Sequence, residues 1–378
     1  MVALTDPLKI KGLSLRNRLV VPPMVTGLAN GGIPSEAQLG WYGNLARSGA
    51  ALVIVEAASV LLDAQILPRQ IDVSPDTPLA PLASLAQAIQ RNGTPAILQI
   101  VHGGGRSHRP ELAVPRVAPS AVAIAPGPKP RALMELEIEK LIEAFSTAAL
   151  RAQVTGFDGV EIHGAHYYLI SQFLSPLTNT RTDAWGGNVR NRARFATEVI
   201  RAVRRSVGSD YPIFVRLNAE ERFEQGLPSR DIVEIAKLLV AAGADVLDAS
   251  GIGQASVGTW EGGTFLNPTS ALPKAAAPGD FASAAGRIRA AAHVPVIAVG
   301  KLGFPGVAQG VLDAGHADLI ALGRQVIADP QSPRKILEGA DGGVVRCKEC
   351  MSCFASIRQG SIRCAVNQEL RLIDQVQA

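Results

Sequence analysis

Short β-branched runs punctuate this chain, each ending in Gly, Pro, Ala or a polar residue. Most are followed by a stretch with helical spacing. Eight runs read as strands: Leu19–Val21, Leu52–Val55, Ala96–Val101, Gly159–Ile162, Ile213–Leu217, Val246–Ala249, Val294–Val299 and Leu319–Leu322. Between them lie amphipathic segments rich in Ala, Leu and Arg. Ile138–Gln153 is the clearest, with apolar residues at 138, 141, 142, 145, 148 and 149. Asn191–Val207 and Arg230–Ala242 have the same spacing, with Ser229 as the expected cap of the second. Alternating strands and helices imply a parallel sheet. Polar residues stand at the C-terminal end of nearly every strand, which favours a closed (β/α)8 TIM barrel over a doubly wound sheet. The Pro- and Gly-rich segments Ala113–Arg131 and Gly253–Asp280 are expected to be long loops over the barrel mouth. The barrel is assigned to residues 1–335 and a short Cys-rich extension to 336–378.

Composition narrows the class. Of 378 residues, 47% are hydrophobic and 19% charged, which predicts a large buried core and excludes disorder. The net charge of +4, without a long basic run, suits anionic ligands and argues against nucleic acid. Residues Met1–Arg18 lack a secretory pattern, and no apolar run approaches the ~20 residues that span a bilayer. A cytoplasmic protein, off the membrane and homo-oligomeric, is expected. The four cysteines are unusual: none precedes residue 347, and they read Cys347-x2-Cys350-x2-Cys353-x10-Cys364. Such clustering does not suit a disulfide scaffold and asks for a metal.

The strand ends carry the candidate chemistry. They present Pro23-Met24-Val25-Thr26, Glu56-Ala57, Gln99 with His102, His163-Gly164-Ala165-His166-Tyr167-Tyr168, Arg216, Gly300-Lys301 and Gly323-Arg324. The last two pairs match a phosphate cradle, where small residues let backbone N–H groups approach an anion. Two imidazoles three residues apart can stabilise charge on a carbonyl oxygen more in the transition state than in the ground state. A phenol two residues on can deliver a proton. A metal site built on the two histidines is the competing reading. It lacks a third ligand, since Glu161 is expected on the other face of its strand.

From about residue 4 to 330 the chain resembles the old yellow enzyme family, especially its bacterial members and the barrel domain of 2,4-dienoyl-CoA reductases. The ordered matches include Leu15-Arg16-Asn17-Arg18, Pro23-Met24, Val55-Glu56-Ala57, Gln99-Ile100-Val101-His102 and Gly156-Phe157-Asp158-Gly159-Val160-Glu161-Ile162-His163. They continue through Gln172-Phe173-Leu174-Ser175-Pro176, Asn179-x-Arg181-x-Asp183-x-x-Gly186-Gly187, Phe214-Val215-Arg216 and Ala317-Asp318-Leu319-Ile320-x-x-Gly323-Arg324.

The resemblance implies FMN held around Pro23, Met24 and Val25, by Ala57 and the Gln99 amide, and by Arg216 near the flavin N1/O2 edge. It places the FMN phosphate at Gly300, Lys301, Gly323 and Arg324. His163 and His166 match the pair that grips the substrate oxygen, and Tyr168 matches the proton donor. The implied reaction is NAD(P)H-driven reduction of an activated C=C bond, in an unsaturated carbonyl or thioester, by hydride from FMN N5. Two departures stand out. Tyr167 replaces a usual Gly and is expected to reshape the substrate pocket. Val25 stands where many relatives place a flavin-tuning Cys or Thr, a role for which Thr26 is the candidate substitute.

Two tight C-x2-C steps and a distant Cys resemble iron–sulfur ligation more than a zinc ribbon. Relatives carrying a [4Fe–4S] cluster have it after strand eight, with the second and third gaps each one residue longer. A cluster on Cys347, Cys350, Cys353 and Cys364 is therefore favoured over structural zinc or free thiols. The Gly-rich stretches Gly103-Gly104-Gly105 and Gly251-Ile252-Gly253 lack dinucleotide-binding spacing. No FAD- or nucleotide-binding domain is expected in this chain. Either NAD(P)H reduces FMN directly or a redox partner protein exchanges electrons. The alternatives are an FMN-dependent dehydrogenase oxidising an amine or saturated substrate, a flavin-free barrel lyase or aldolase, and a non-catalytic electron-transfer module.

Overall fold

Residues whose two faces are both covered need no polar alternation, and the run Leu52-Val53-Ile54-Val55 has none; it is buried throughout. In the computed structural model, which describes residues 2–108, 114–260, 262–304 and 306–368, eight parallel strands of this kind close into a barrel. They are β1 (Leu19–Val21), β2 (Leu52–Ser59), β3 (Ala96–Val101), β4 (Gly159–Gly164), β5 (Ile213–Glu221), β6 (Val246–Ile252), β7 (Val296–Ala298) and β8 (Leu319–Ala321). The ladder runs in chain order, with Val20 opposite Leu52 at its start, and closes where Ile320 meets Leu19. All eight expected strands are present. Strands β2, β4, β5 and β6 run further toward the mouth than the apolar pattern shows, because buried polar residues continue them.

One device recurs at the opposite end. Asp158, Asp245 and Asp318 each precede a strand, and each carboxylate accepts the N–H that opens the strand before it. The acceptances are from Ala96 at 2.8 Å, Ile213 at 2.8 Å and Val296 at 3.0 Å. Asp245 and Asp318 are also paired with Arg204 and Arg289. These contacts lock neighbouring strands in register. A small antiparallel pair, Leu8–Ile10 with Leu13–Leu15, packs its apolar side onto Val20, Leu52, Val246 and Leu319 and plugs that end.

Helices Glu135–Val154, Val189–Val207 and Ser229–Ala242 cover the barrel where the apolar spacing places them. The expected Ser229 cap is corrected: Pro228 occupies the N-cap, Ser229 is already helical, and no side chain caps this end. The segment 253–280 is not a bare loop either. It contains a β-hairpin, Gln254–Trp260 with Gly263–Thr269. The other expected loop meets it where the Leu266 N–H reaches the Ala123 carbonyl at 3.3 Å; Ala113 lies outside the described residues.

The C-terminal extension, described to residue 368, packs onto the barrel. Ile357 and Ile362 join the main core, the Ile362 N–H donates to the Thr26 carbonyl at 2.7 Å, and Asn367 Nδ2 donates to the Ile327 carbonyl at 2.9 Å. Among the described residues no helix is long and apolar enough to cross a membrane.

Candidate active site

A cavity of about 270 Å³ opens at the C-terminal ends of the strands, lined on one side by the extension. All thirteen residues singled out for catalysis or cofactor binding line it. Pro23, Met24 and Val25 follow β1, and Ala57 and Gln99 come from β2 and β3. His163, His166 and Tyr168 come from the end of β4, and Arg216 from β5. Gly300 with Lys301 and Gly323 with Arg324 follow β7 and β8.

The three rings on the β4 turn converge. His163 lies 5.0 Å from His166 and 4.9 Å from Tyr168 between ring centroids, both edge-to-face. The turn that achieves this is unusual: His166 and Tyr167 both have left-handed backbone, at φ 60° and 58°. Two contacts hold it, the His166 N–H donating to Asn218 Oδ1 at 3.0 Å and Arg106 donating to the His166 carbonyl at 3.0 Å. Burial, reinforced by the Arg216 charge, pushes both imidazoles well below the usual histidine range, so each is neutral with one N–H. His163 Nδ1 accepts the Ala165 N–H, which leaves its proton on Nε2. His166 Nε2 lies 2.7 Å from Ser250 Oγ, which itself receives Arg216 Nη2 at 3.4 Å. The Ser250 hydroxyl can donate to Nε2, which leaves the His166 proton on Nδ1, or accept from it. Burial raises the Tyr168 phenol, against the lowering pull of Arg106, Arg216 and Arg358, so it stays protonated at neutral pH.

Arg216 is almost fully buried, with Nε 3.3 Å from Asp248 Oδ2. Glu161 corrects an expectation. It lies two residues before His163, so the strand's period of two places both on the inner face. There it accepts Gln99 Nε2 at 2.7 Å and makes no metal set with the histidines.

The departures also resolve. Thr26 does not line the cavity; its hydroxyl donates to buried Glu56 at 2.5 Å behind the Met24-Val25 segment. Tyr167 does not line it either. Its ring is fully buried, packed near Phe223, and its hydroxyl donates to Glu221 Oε2 at 2.7 Å. The expectation of a reshaped pocket is not met, because the left-handed turn sends this ring away from the histidines.

Lys301 Nζ is 2.7 Å from Glu349 and also donates to the Lys274 and Ala276 carbonyls. Arg324 Nη1 meets Met351 Sδ at 3.2 Å and makes no ion pair among the described residues. Cys347 and Cys353 line the cavity, Cys364 packs against the core, and Cys350 is exposed beside Ser352 at 3.2 Å. Burial raises the Cys347 and Cys353 thiols, and the nearby Cys364 raises both further. Among the described residues, no three His, Cys, Asp or Glu side chains are gathered closely enough to hold a metal.

A model of the NADH:flavin oxidoreductase / NADH oxidase family matches residues 3–341. The chain belongs to this family. The old yellow enzyme family is thus the right frame, and its members are FMN-dependent NAD(P)H oxidoreductases. An NADH oxidase of Thermoanaerobacter brockii is 38% identical over 95% of the chain and 55% of its own length. An NADPH dehydrogenase of Halalkalibacterium halodurans is 34% identical over 86% of the chain and 91% of its own length. The solved 2-naphthoyl-CoA reductase complex superposes with a TM-score of 0.89 at 29% identity, covering 99% of this chain and 58% of that one. The chain thus spans little more than half the length of the NADH oxidase and the naphthoyl-CoA reductase.

The old yellow enzyme cofactor can be tested against the cavity itself. Arg216 is a buried cation that lines the cavity, which suits an anionic ring edge there. Gly300 has φ 113°, and a Cβ there would come within 3.2 Å of Leu272 and 3.3 Å of Phe281, so only glycine keeps this turn open. The residues present fit FMN.

Proposed function

We propose that this chain is an FMN-dependent, NAD(P)H-driven reductase of activated C=C bonds in enones, enals or enoyl thioesters. The convergence of His163, His166 and Tyr168 on the Arg216 cavity carries this reading. Pro23, Met24, Val25, Ala57, Gln99 and Arg216 would hold the isoalloxazine. The backbone at Gly300 and Lys301, with Gly323 and Arg324, would hold the phosphate. When bound, FMN supplies the hydride that NAD(P)H delivers to it.

The chain's own groups do the rest. His163 Nε2–H and His166 Nδ1–H bind the substrate carbonyl oxygen, and their neutral state makes them hydrogen-bond donors without a counterion. Negative charge builds on that oxygen as the β-carbon is reduced, so these bonds strengthen in the transition state. Tyr168 holds the proton for the α-carbon on its phenolic oxygen. Cys347, Cys350, Cys353 and Cys364 would hold a [4Fe–4S] cluster, supplying one-electron chemistry; structural zinc is the other metal this donor set suits. That Cys347 and Cys353 line the same cavity favours a second reading, oxidation of an amine or saturated substrate with a separate redox protein as electron acceptor.

One experiment separates these. Anaerobically purified protein is assayed for its visible spectrum and for iron, zinc and sulfide, then given NADPH and cyclohexenone. Flavin absorbance with NADPH-dependent enone reduction supports the first reading. Flavin bleached by substrate without NAD(P)H, and no enone reduction, supports the second. A colourless active protein would overturn both.

A further inference from the structure

At the cavity floor and just below it, β3, β4, β5 and β6 bring together the buried side chains of Gln99, Glu161, Arg216 and Asp248. Register sets Gln99 opposite Glu161 and Arg216 opposite Asp248. Both acids are fully buried. Gln99 satisfies one Glu161 oxygen, and the Arg216 guanidinium lies alongside one edge of Asp248. Glu161 Oε2 and both Asp248 oxygens have no hydrogen-bond partner, although the two carboxyl groups lie within hydrogen-bonding reach of each other.

Ionised carboxylates only accept, so two of them cannot share this contact without a proton. The charge count agrees. Among the described residues Arg216 is the one cation facing the pair; His163, the next inward residue on β4, is neutral. Two ionised acids would leave a buried net negative charge, which costs several kcal/mol by desolvation.

We propose that Glu161 retains a proton at neutral pH and donates it to Asp248, so that the pair carries one negative charge, which balances Arg216 and holds it facing the cavity without leaving a surplus negative charge behind it. Burial raises both acids and Arg216 lowers both, but their mutual hydrogen bond raises Glu161 and lowers Asp248, which agrees with Glu161 as the donor. Both are positioning residues: they touch Arg216, not substrate. A consequence for the flavin rests on the FMN reading above. With the proton in place, an anionic reduced ring meets a cation backed by one charge rather than two.

Infrared spectroscopy of the full-length protein tests the proton directly. A carboxylic-acid C=O band that persists across neutral pH is expected in wild type and lost in Glu161→Gln. It should survive in Glu56→Gln, which removes another buried acid. Asp248→Asn should also abolish it, because Glu161 then ionises against Arg216, so the test stands if Glu161→Gln fails to fold. Redox titration adds a second readout. Glu161→Gln mimics the protonated acid and should leave the flavin midpoint potential and its pH slope unchanged. No carboxylic-acid band in the wild-type minus Glu161→Gln difference spectrum, or a potential raised as if a negative charge had been removed, overturns the proposal. Colourless protein that keeps the band overturns the FMN reading alone.

Discussion

Lys301 Nζ sits 2.7 Å from the Glu349 carboxylate, joining the turn after β7 to the cysteine segment. The lysine expected to meet a phosphate is thus already neutralised by a residue between two candidate metal ligands. Phosphate and carboxylate compete for one ammonium. Glu349→Gln removes the competitor and a nearby negative charge, and should tighten FMN binding by roughly threefold to tenfold, about 1 kcal/mol. Flavin fluorescence quenching on apoprotein measures this, and weaker binding would show that Glu349 serves the site rather than competing with it.

Tyr168 is assigned to one half-reaction only. Tyr168→Phe should slow reoxidation of the reduced enzyme by enones roughly a hundredfold or more, while reduction by nicotinamide stays within about twofold. Stopped-flow measurement of each half-reaction decides it, and equal losses in both would remove the phenol from proton delivery.

Ser250 was not among the residues the strand ends pointed to, yet its hydroxyl meets His166 Nε2 at 2.7 Å, and we expect it to donate there and hold the imidazole proton on Nδ1. Ser250→Ala should weaken binding of a phenol inhibitor about tenfold, the scale of one hydrogen bond to a polar ligand. Binding is read from the charge-transfer band. An unchanged affinity would mean that His166 holds its tautomer without help.

Glu56 ties stability to pH. Burial lifts its carboxyl from 4.5 to about 7, against the pull of Thr26 and Gln38. A raised acid binds its proton more tightly when folded, so its stabilising effect is full below pH 4.5 and is lost as pH rises to about 7. The loss is about 3 kcal/mol at about 1.4 kcal/mol per pH unit. Denaturation of wild type relative to Glu56→Gln should show this fall between pH 4.5 and about 7, and parallel curves would contradict it.

The eight strands were legible because burial on both faces writes itself as a short apolar run, and their ends because polar residues interrupt those runs at the mouth. What stayed hidden depends on contacts across the barrel. Glu161 with Asp248, Ser250 with His166, and Lys301 with Glu349 each join residues more than 40 positions apart, and nothing local marks them. The hairpin at Gln254–Thr269 escaped because its Gly and Pro residues mask the alternation that marks a strand. Tyr167 was misplaced for a different reason. Its side-chain direction follows from a left-handed turn, which residue type alone argues against.

The hydrogen bond from Ile362 to Thr26 joins the segment after the first strand to the last part of the described chain. A ribosome adding roughly 5–20 residues per second therefore releases the barrel's opening strand long before the wall that completes its cavity. The nascent chain can build most of the barrel but cannot enclose a cofactor until synthesis has passed this wall. Enclosure of the cavity is accordingly a late event, set by the arrival of the tail rather than by the folding of the strands.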